Sequence, residues 1–427
     1  MSASLISKTD EFVTVQIKIP LSKSMLDGES FIQDALNEAG TLATGELLKQ
    51  FDADGSAIEF GSVKMTSKGR VTKQYQTPYG VVEIDRHVYQ TSGSGETFCP
   101  LDRDARIIVS STPRFAKQIS HKFSEMASTQ VQKDFSENNN RDVARSYLQN
   151  VADSVGSIAL LKEEDWKYTP DVLDENIKTI NIGLDGTCML LCKDGYRIAM
   201  VGTLSFHNKS GERIHTTYLA APPEYGKETF KARLEQEIAR TKDLYPKAHY
   251  LGIADGAKEN WEFLKQHTDE QIVDFWHATE YLGGVAEAIF PKNKADREEW
   301  LDDQCHRLKH KHGAASRILS EMIEFKNKKL SIVGREKLMA AISYFKNNHQ
   351  ERRMNYADHV EQNHSIGSGV TEAACKVIIK QRLCKSGMKW KNKGASIVLS
   401  LRTLFYSGTH WQQFWGKINQ YGFPIAG

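Results

Sequence analysis

Several things are missing from this 427-residue sequence, and each absence narrows its class. No stretch approaches the ~20 apolar residues that a membrane-spanning helix needs, which predicts no membrane partner. Residues 1–20 mix Lys8, Asp10, Glu11 and Lys18 among apolar residues, so the unbroken core of a signal peptide is absent. The six cysteines are scattered too thinly for a disulfide framework, and the expectation is a cytoplasmic protein. No Gly-x4-Gly-Lys-Ser/Thr loop occurs, so nothing points to nucleotide hydrolysis. Low-complexity tracts are lacking too. At 40% hydrophobic and 26% charged, the composition is globular, and the length suits about two to four domains.

Acids vanish from one region altogether. Residues 373–427 hold nine Lys/Arg and no Asp or Glu, leaving 47 basic against 54 acidic residues upstream, a net of −7 beneath an overall +2. Such a tail predicts a polyanionic partner, nucleic acid, against the alternative of a solvated basic helix. Its cations Lys376, Lys380, Arg382, Lys385, Lys389, Lys391, Lys393 and Arg402 interleave with Trp390, Phe405, Tyr406, Trp411, Phe414 and Trp415. The cations would neutralise phosphates, and an exposed Trp390 would stack on a splayed base. Leu399, Leu401, Leu404 and Phe405 fit core positions, as do Trp411 and Trp415 at i and i+4.

Along the chain, residues 1–110 read as an α+β module. A helix is predicted over Phe31–Phe51 from Ile32, Ala35, Leu36, Ala39, Leu42, Leu47 and Leu48. Short strands follow near Ala57–Phe60, Val71–Tyr75 and Gly80–Tyr89. Cys99 has no partner at zinc-ligand spacing, so no zinc site is expected there. Residues 111–176 read as helical: Phe115–Glu125, Ala127–Phe135, a polar break at Asn138-Asn139-Asn140, then Val143–Leu161. That pattern fits a DNA-reading helix-turn-helix, or simply a packing pair.

The texture changes in residues 177–290. Strands are predicted at Thr179–Leu184, Tyr196–Phe206 and Arg213–Ala220, then a helix Lys227–Tyr245 with Phe230, Leu234, Ile238 and Leu244 on one side. A strand His249–Ala254, a helix Ala257–His267, a strand Gln271–Trp276 and a helix Ala278–Phe290 complete the series. This β-β-β-α-β-α-β-α order is that of an RNase H-like α/β core. Residues 291–364 read as an all-α insertion, with Trp300, Leu301, Leu308, Ile318, Leu319, Met322, Ile323, Leu338 and Ile342 inward. Residues 365–427 return to the core, with helices over 370–386 and 394–406.

Three acids stand out in this frame. Asp185 and Asp255 each end an apolar run and precede a glycine, and Glu372 follows Gly367-Ser368-Gly369 at a helix start. Cutting a phosphodiester at neutral pH takes an activated nucleophile and charge neutralisation, which two Mg²⁺ (or Mn²⁺) ions supply. Such ions prefer oxygen ligands, so converging carboxylates at strand ends suit them. Each acid also has a plain reading: Asp185-Gly186 as a hairpin turn, Asp255 as a helix cap, Glu372 as a first-turn acid. Asp274 and His277, in Asp274-Phe275-Trp276-His277, stand at a strand–helix junction where they would tune a carboxylate or contact a phosphate, or serve buried hydrogen bonding. His306, His310 and His312 near Cys305 mimic metal spacing but lie among lysines, which favours a solvated or DNA-facing helix. Cys188 and Cys192 are assigned to the core of an apolar strand.

Four blocks resemble the DDE transposases of bacterial insertion sequences, namely the Kra-type group related to the Mutator-like and hAT-like lineages. They are Gly183-Leu184-Asp185-Gly186, Gly252-Ile253-Ala254-Asp255-Gly256, Asp274-Phe275-Trp276-His277 and the run Gly367-Ser368-Gly369-Val370-Thr371-Glu372-Ala373-Ala374-Cys375-Lys376. The similarity covers roughly residues 60–420, including Tyr75–Tyr89 and Met388-Lys389-Trp390, and the last block is its most specific part. It implies that Asp185, Asp255 and Glu372 bind two catalytic divalent metals, with Asp274 and His277 as an accessory motif. Residues 291–364 would be the family's helical insertion domain. It also implies terminal inverted repeats and target DNA as partners, a homodimer or higher oligomer on DNA, and a nucleoid-associated bacterial protein. Many relatives carry a cysteine-paired, zinc-ribbon-like element upstream, whereas only Cys99 stands near that place here. Alternatives are an RNase H-like nuclease or junction resolvase without strand transfer, and a catalytically silent DNA-binding descendant.

Overall fold

A computed structural model describes residues 2–60, 63–91, 93, 95, 97–163, 165–170, 172–173, 176–223, 226–255 and 258–422. The chain is of the mixed α/β class and divides into two compact units. The first comprises Met1–Tyr168, Ser400–Arg402 and Trp411–Gly427; the second comprises Thr169–Leu399 and Thr403–His410.

The first unit opens with a hairpin of β1 (Ala3–Lys8) and β2 (Val13–Ile17), which mostly exposed side chains had hidden from the hydropathy pattern. Helix α1 (Met25–Lys49) begins six residues before its predicted start, because Ser24 caps it by accepting from Asp27 N–H. Its predicted inward residues divide: Ala35 and Leu48 are buried, while Ile32, Leu36 and Leu47 are exposed. Strands β3 (Ile58–Phe60), β4 (Val63–Gln76) and β5 (Val81–Thr91) form an antiparallel sheet at the three predicted places, with β4 starting eight residues before its expected segment. Its buried side, Tyr75, Val82 and Ile84, packs with Leu48 and with Leu101 of α2 (Pro100–Asp104).

Three helices follow: α3 (Pro113–Glu125), α4 (Ser128–Asn139) and α5 (Arg145–Leu161). Phe115, Ile119 and Phe123 of α3 are buried at helical spacing, as are Leu148, Val151 and Val155 of α5. The polar break falls one turn late, since Asn138 and Asn139 extend α4 and left-handed Asn140 (φ 49°) ends it.

The second unit is built on a five-stranded sheet. Strands β6 (Ile177–Leu191), β7 (Gly195–Asn208) and β8 (Arg213–Ala221) form an antiparallel meander. Helix α6 (Gly226–Leu244) leads to β9 (His249–Ala254), and α7 (Lys258–His267) to β10 (Glu270–Val273). Both late strands run parallel to β6, giving the order β10-β9-β6-β7-β8. Ala257, the predicted first residue of α7, and Gly256 lie outside the described residues. Trp276 is not part of the last strand: α8 (Phe275–Ile289) starts at once, because Asp274 caps it.

Helices α9 (Lys294–His310), α10 (Ala314–Glu324), α11 (Ile332–Gln350) and α12 (Tyr356–Glu361) occupy the segment read as an insertion. Leu308, Ile318, Met322 and Leu338 are buried in one continuous core with Ile182 and Leu204 of the sheet and Phe230 and Leu234 of α6. Ile323 departs from the prediction; it is exposed, one position round the helix from Met322. The expected helix over 370–386 is α13 (Gly369–Ala374), a π-helical turn Cys375–Lys380 and α14 (Gln381–Leu383), followed by α15 (Asn392–Tyr406) and α16 (His410–Tyr421). Trp411 and Trp415 are buried in the first unit, where Trp166 meets Phe414 edge-on. Among the described residues no helix is long and apolar enough to cross a membrane.

Glu237, on α6, yields a stability test. It is buried, and burial pushes its carboxyl up to about 7 against the pull of Arg240. In the unfolded chain the same group ionises near 4.5. Between those values the folded state keeps a proton that the unfolded state loses, so stability falls as pH rises through 7. Glu237→Gln should therefore raise the calorimetric melting temperature by several degrees near pH 8 and leave it almost unchanged near pH 4.5. Equal shifts at both pH values would contradict this.

Candidate functional site

Strand register brings distant acids into one row. The parallel pairing of β6 with β9 ends at Gly183 and Ile253; two residues further come Asp185 and Asp255. The pairing of β9 with β10 ends at Ala254 and Val273; one residue further come Asp255 and Asp274. Three carboxyl side chains thus stand side by side at the C-terminal edge of the parallel strands. Asp185 is not at a strand end or in a hairpin turn, contrary to expectation. It pairs with Val201, and β6 runs on six residues beyond it, because β7 accompanies β6 along its whole length.

The charges in this row are not balanced. Burial first, and then the charge of Asp255, push the Asp185 carboxyl above its usual range, against the Gly186 N–H, the Cys375 thiol and Lys380. His277 Nε2 lies 3.9 Å from Asp255 Oδ2, and its Nδ1 lies 3.0 Å from Glu280 Oε2. Burial pulls His277 down, but the Glu280 hydrogen bond and the charges of Glu280, Asp255 and Asp274 outweigh it and hold the imidazole above its ordinary value. Protonated His277 then offsets part of the acidic charge beside Asp255.

Asp274 is 1% exposed and is spent on architecture. Its Oδ1 accepts from His277 N–H at 2.7 Å, capping α8, and its Oδ2 accepts from Ser368 N–H at 2.5 Å. The second bond ties β10 to the turn that starts α13. From that turn Ser368 Oγ donates to Glu372 Oε1 at 2.8 Å. One buried carboxylate thereby orients both His277 and the carrier of Glu372.

Helix α13 approaches the sheet closely over Gly183. A Cβ at Gly183 would lie 2.1 Å from Thr371 Oγ1, which itself is 2.8 Å from Thr203 Oγ1. Only glycine admits that contact. One turn on, buried Cys375 donates from Sγ to Asp185 Oδ2 at 3.5 Å; burial and the Asp185 charge push the thiol up to about 12, so it remains a donor. Gly183→Ala should displace α13, costing ~1–3 kcal/mol in urea unfolding and lowering any activity that depends on Glu372. A variant with unchanged stability would show that the contact relaxes freely.

Asp185, Asp255, Asp274, His277, Glu280 and Glu372 line a single cavity of about 330 Å³, with exposed Trp276 at its side. A second groove, of about 790 Å³, shares Asp185 and Glu372 and adds Cys375, Lys376 and Lys380. Among the described residues no group of three or more His, Cys, Asp or Glu stands at metal-ligand spacing, so the carboxylates share a cavity without forming a closed cage. The donor set nonetheless suits a hard cation, because the carboxylates supply oxygen only. Glu280, Ser368 and Cys375 escaped the sequence reading. The three-residue spacing of Asp274, His277 and Glu280 was the available signal for the first.

The basic tail divides. Lys376, Lys380, Lys385, Lys389, Lys391 and Lys393 are exposed. Arg382 is buried at 2% exposure and stacks on the Trp390 ring, 5.1 Å from its centroid, so it is removed from the phosphate-contacting set. Trp390 is half-buried rather than free for a base: Nε1 donates to Leu383 O, and its backbone bonds Leu190 and Cys192 at the end of β6. Arg402 is buried in the first unit with Glu125 at 2.9 Å, so it contacts no phosphate. Cys188 and Cys192 are exposed, against expectation, because alternation along β6 turns Thr187, Met189 and Leu191 inward instead. His306, His310 and His312 are exposed, and His312 bonds Asp358 and Glu361.

No protein-family model matches the chain, and no curated protein matches it in sequence.

Proposed function

We propose that this chain is a DNA transposase of the DDE kind, acting on the inverted-repeat ends of a bacterial insertion sequence. The observation that carries the reading is the shared cavity: Asp185, Asp255 and Glu372, far apart in sequence, line it together. Two further features support it. The sheet order β10-β9-β6-β7-β8, a meander followed by two parallel strands, agrees with the order expected of an RNase H-like core. Exposed Lys376 and Lys380 border the groove that shares Asp185 and Glu372, where a nucleic-acid strand would find counter-charge.

Asp185, Asp255 and Glu372 would hold two Mg²⁺ ions, which when bound would activate the attacking water or hydroxyl and offset charge building on the phosphate. The chain's own residues supply the rest. Asp274 keeps the Ser368 turn, and with it Glu372, against the end of β10. His277, held above its ordinary pKa and 3.9 Å from Asp255, would when protonated offset part of the acidic charge that a phosphate meets there. The lysines of the π-helical turn draw the strand in. Residues 1–165, including the α3–α4–α5 helices, would bind the repeats, and bringing two ends together calls for at least a dimer.

The test is direct. Purified protein with Mg²⁺ and DNA carrying the element's ends should nick at the element boundary and join the 3′-hydroxyl to a target duplex. Cleavage of branched DNA without joining would favour a junction resolvase, and binding without cleavage would leave a silent descendant. Neither outcome is compatible with the transposase.

A further inference from the structure

A groove of about 440 Å³ between α7 and α11 contains a cation that the catalytic reading does not use. Arg353 lies in it with its guanidinium stacked on the buried Trp261, 4.2 Å from the ring centroid. The Arg353 side chain is 11% exposed, and among the described residues its sole ion pair is a long 3.7 Å contact to Glu351. Its Nε is buried and has no hydrogen-bond partner among the described residues. A buried donor of this kind is costly unless something fills its place.

The backbone holds this arginine firmly. Arg353 N–H donates to Asn348 O and its carbonyl accepts from Val273 N–H, both at 2.9 Å. Val273 directly precedes Asp274, so Arg353 is anchored to the strand end that forms the cavity. Arg352, just before it, takes a left-handed φ of 58° and closes the C-terminus of α11, with Arg353 N–H reaching back to Asn348 O. Lys258 and Lys265, seven residues apart on one face of α7, stand over the same groove. The acids there, Glu262 and Glu351, have side chains 65% and 53% exposed and make only long ion pairs, Glu262 with Lys258 at 3.8 Å and Glu351 with Arg353 at 3.7 Å. Tyr344 lines the groove and lies 3.4 Å, through its hydroxyl, from the Asp255 carbonyl, so the groove begins one ring away from the candidate catalytic row.

We infer that this groove is a phosphate-binding subsite, with Arg353, Lys258 and Lys265 holding a backbone phosphate of a nucleic-acid strand that passes the carboxylate cavity. The inference rests on the nucleic-acid reading above and adds a second contact point to it. The guanidinium provides the fixed donors, stacking on Trp261 keeps it oriented, and the lysines add mobile charge.

The test uses the full chain, with Lys265→Gln on the helix surface and Arg353→Gln checked for an unchanged circular dichroism spectrum. Binding of a ~30-nucleotide single strand and of its duplex is followed by anisotropy between ~50 and ~200 mM KCl. Each variant should weaken binding alike for unrelated sequences and reduce the slope of log K against log salt by about 1. Inorganic phosphate at matched ionic strength should raise the melting temperature of the wild type more than that of either variant. DNA binding with an unchanged salt slope in both variants would overturn this subsite alone. Failure of the wild type to bind DNA would overturn the nucleic-acid reading, and the source of the phosphate with it, even if inorganic phosphate binds.

Discussion

Asp185→Asn should abolish Mg²⁺-dependent cleavage of end-containing DNA, lowering its rate at least ~10³-fold, equivalent to about 4 kcal/mol of transition-state stabilisation. The exchange keeps the size of the side chain and one acceptor, which the Gly186 N–H can still use, while the oxygen that accepts from the Cys375 thiol becomes an amide donor. The charge and that second acceptor disappear. Because burial and Asp255 disfavour that charge, the variant should melt no lower than the wild type above the carboxylate range. DNA binding should change less than about threefold, since the phosphate contacts lie with the lysines. Asp255→Asn and Glu372→Gln should act alike. Because the three residues work as a unit, double variants should cost little more than single ones. Cleavage retained by Asp185→Asn would remove this residue from the chemistry.

Asp274→Ala should harm both stability and activity. It deletes the cap of α8, worth ~0.5–2 kcal/mol, and strands the buried Ser368 N–H, worth ~1–3 kcal/mol. The sum expected in urea unfolding is about 1.5–5 kcal/mol. Freed from β10, the Ser368 turn would no longer hold Glu372 in place, so cleavage should fall further than the stability loss alone explains. Asp274→Asn keeps one acceptor and should lie between the two. A stable, active alanine variant would contradict the architectural role given to this carboxylate.

The element order of the second unit was legible because each buried strand and each helix carries its own apolar period. Asp255 could be read from sequence, standing where an apolar run stops. Asp185 was recognised as an acid of interest, but its strand was cut short. Past it, β6 alternates as one face leaves the core, and the run Thr187 to Leu191 looks uniformly apolar although Cys188 faces solvent. A pattern of residue types cannot tell which side of a ribbon is covered.

The basic tail misled for a related reason. Arg382 and Arg402 carry the same charge as the neighbouring lysines, yet each is buried, Arg382 against Trp390 eight residues on and Arg402 with Glu125 far back in the chain. Lys376, Lys380 and Lys389 remain exposed. The division follows the ease with which guanidinium stacks and pairs inside a fold, whereas a strongly hydrated ammonium stays in water. Glu280 and Cys375 were missed because their part in the site depends on which residues the register and α13 bring beside them.

The proposed function requires two divalent ions among the carboxylates that the strands and α13 bring to one cavity. Crystals of the full chain soaked in Mn²⁺ and measured at the manganese absorption edge would locate such ions. Anomalous peaks within about 2.2 Å of oxygens from Asp185, Asp255 and Glu372 together are the predicted result. A saturated soak whose peaks touch none of these three side chains would contradict the account.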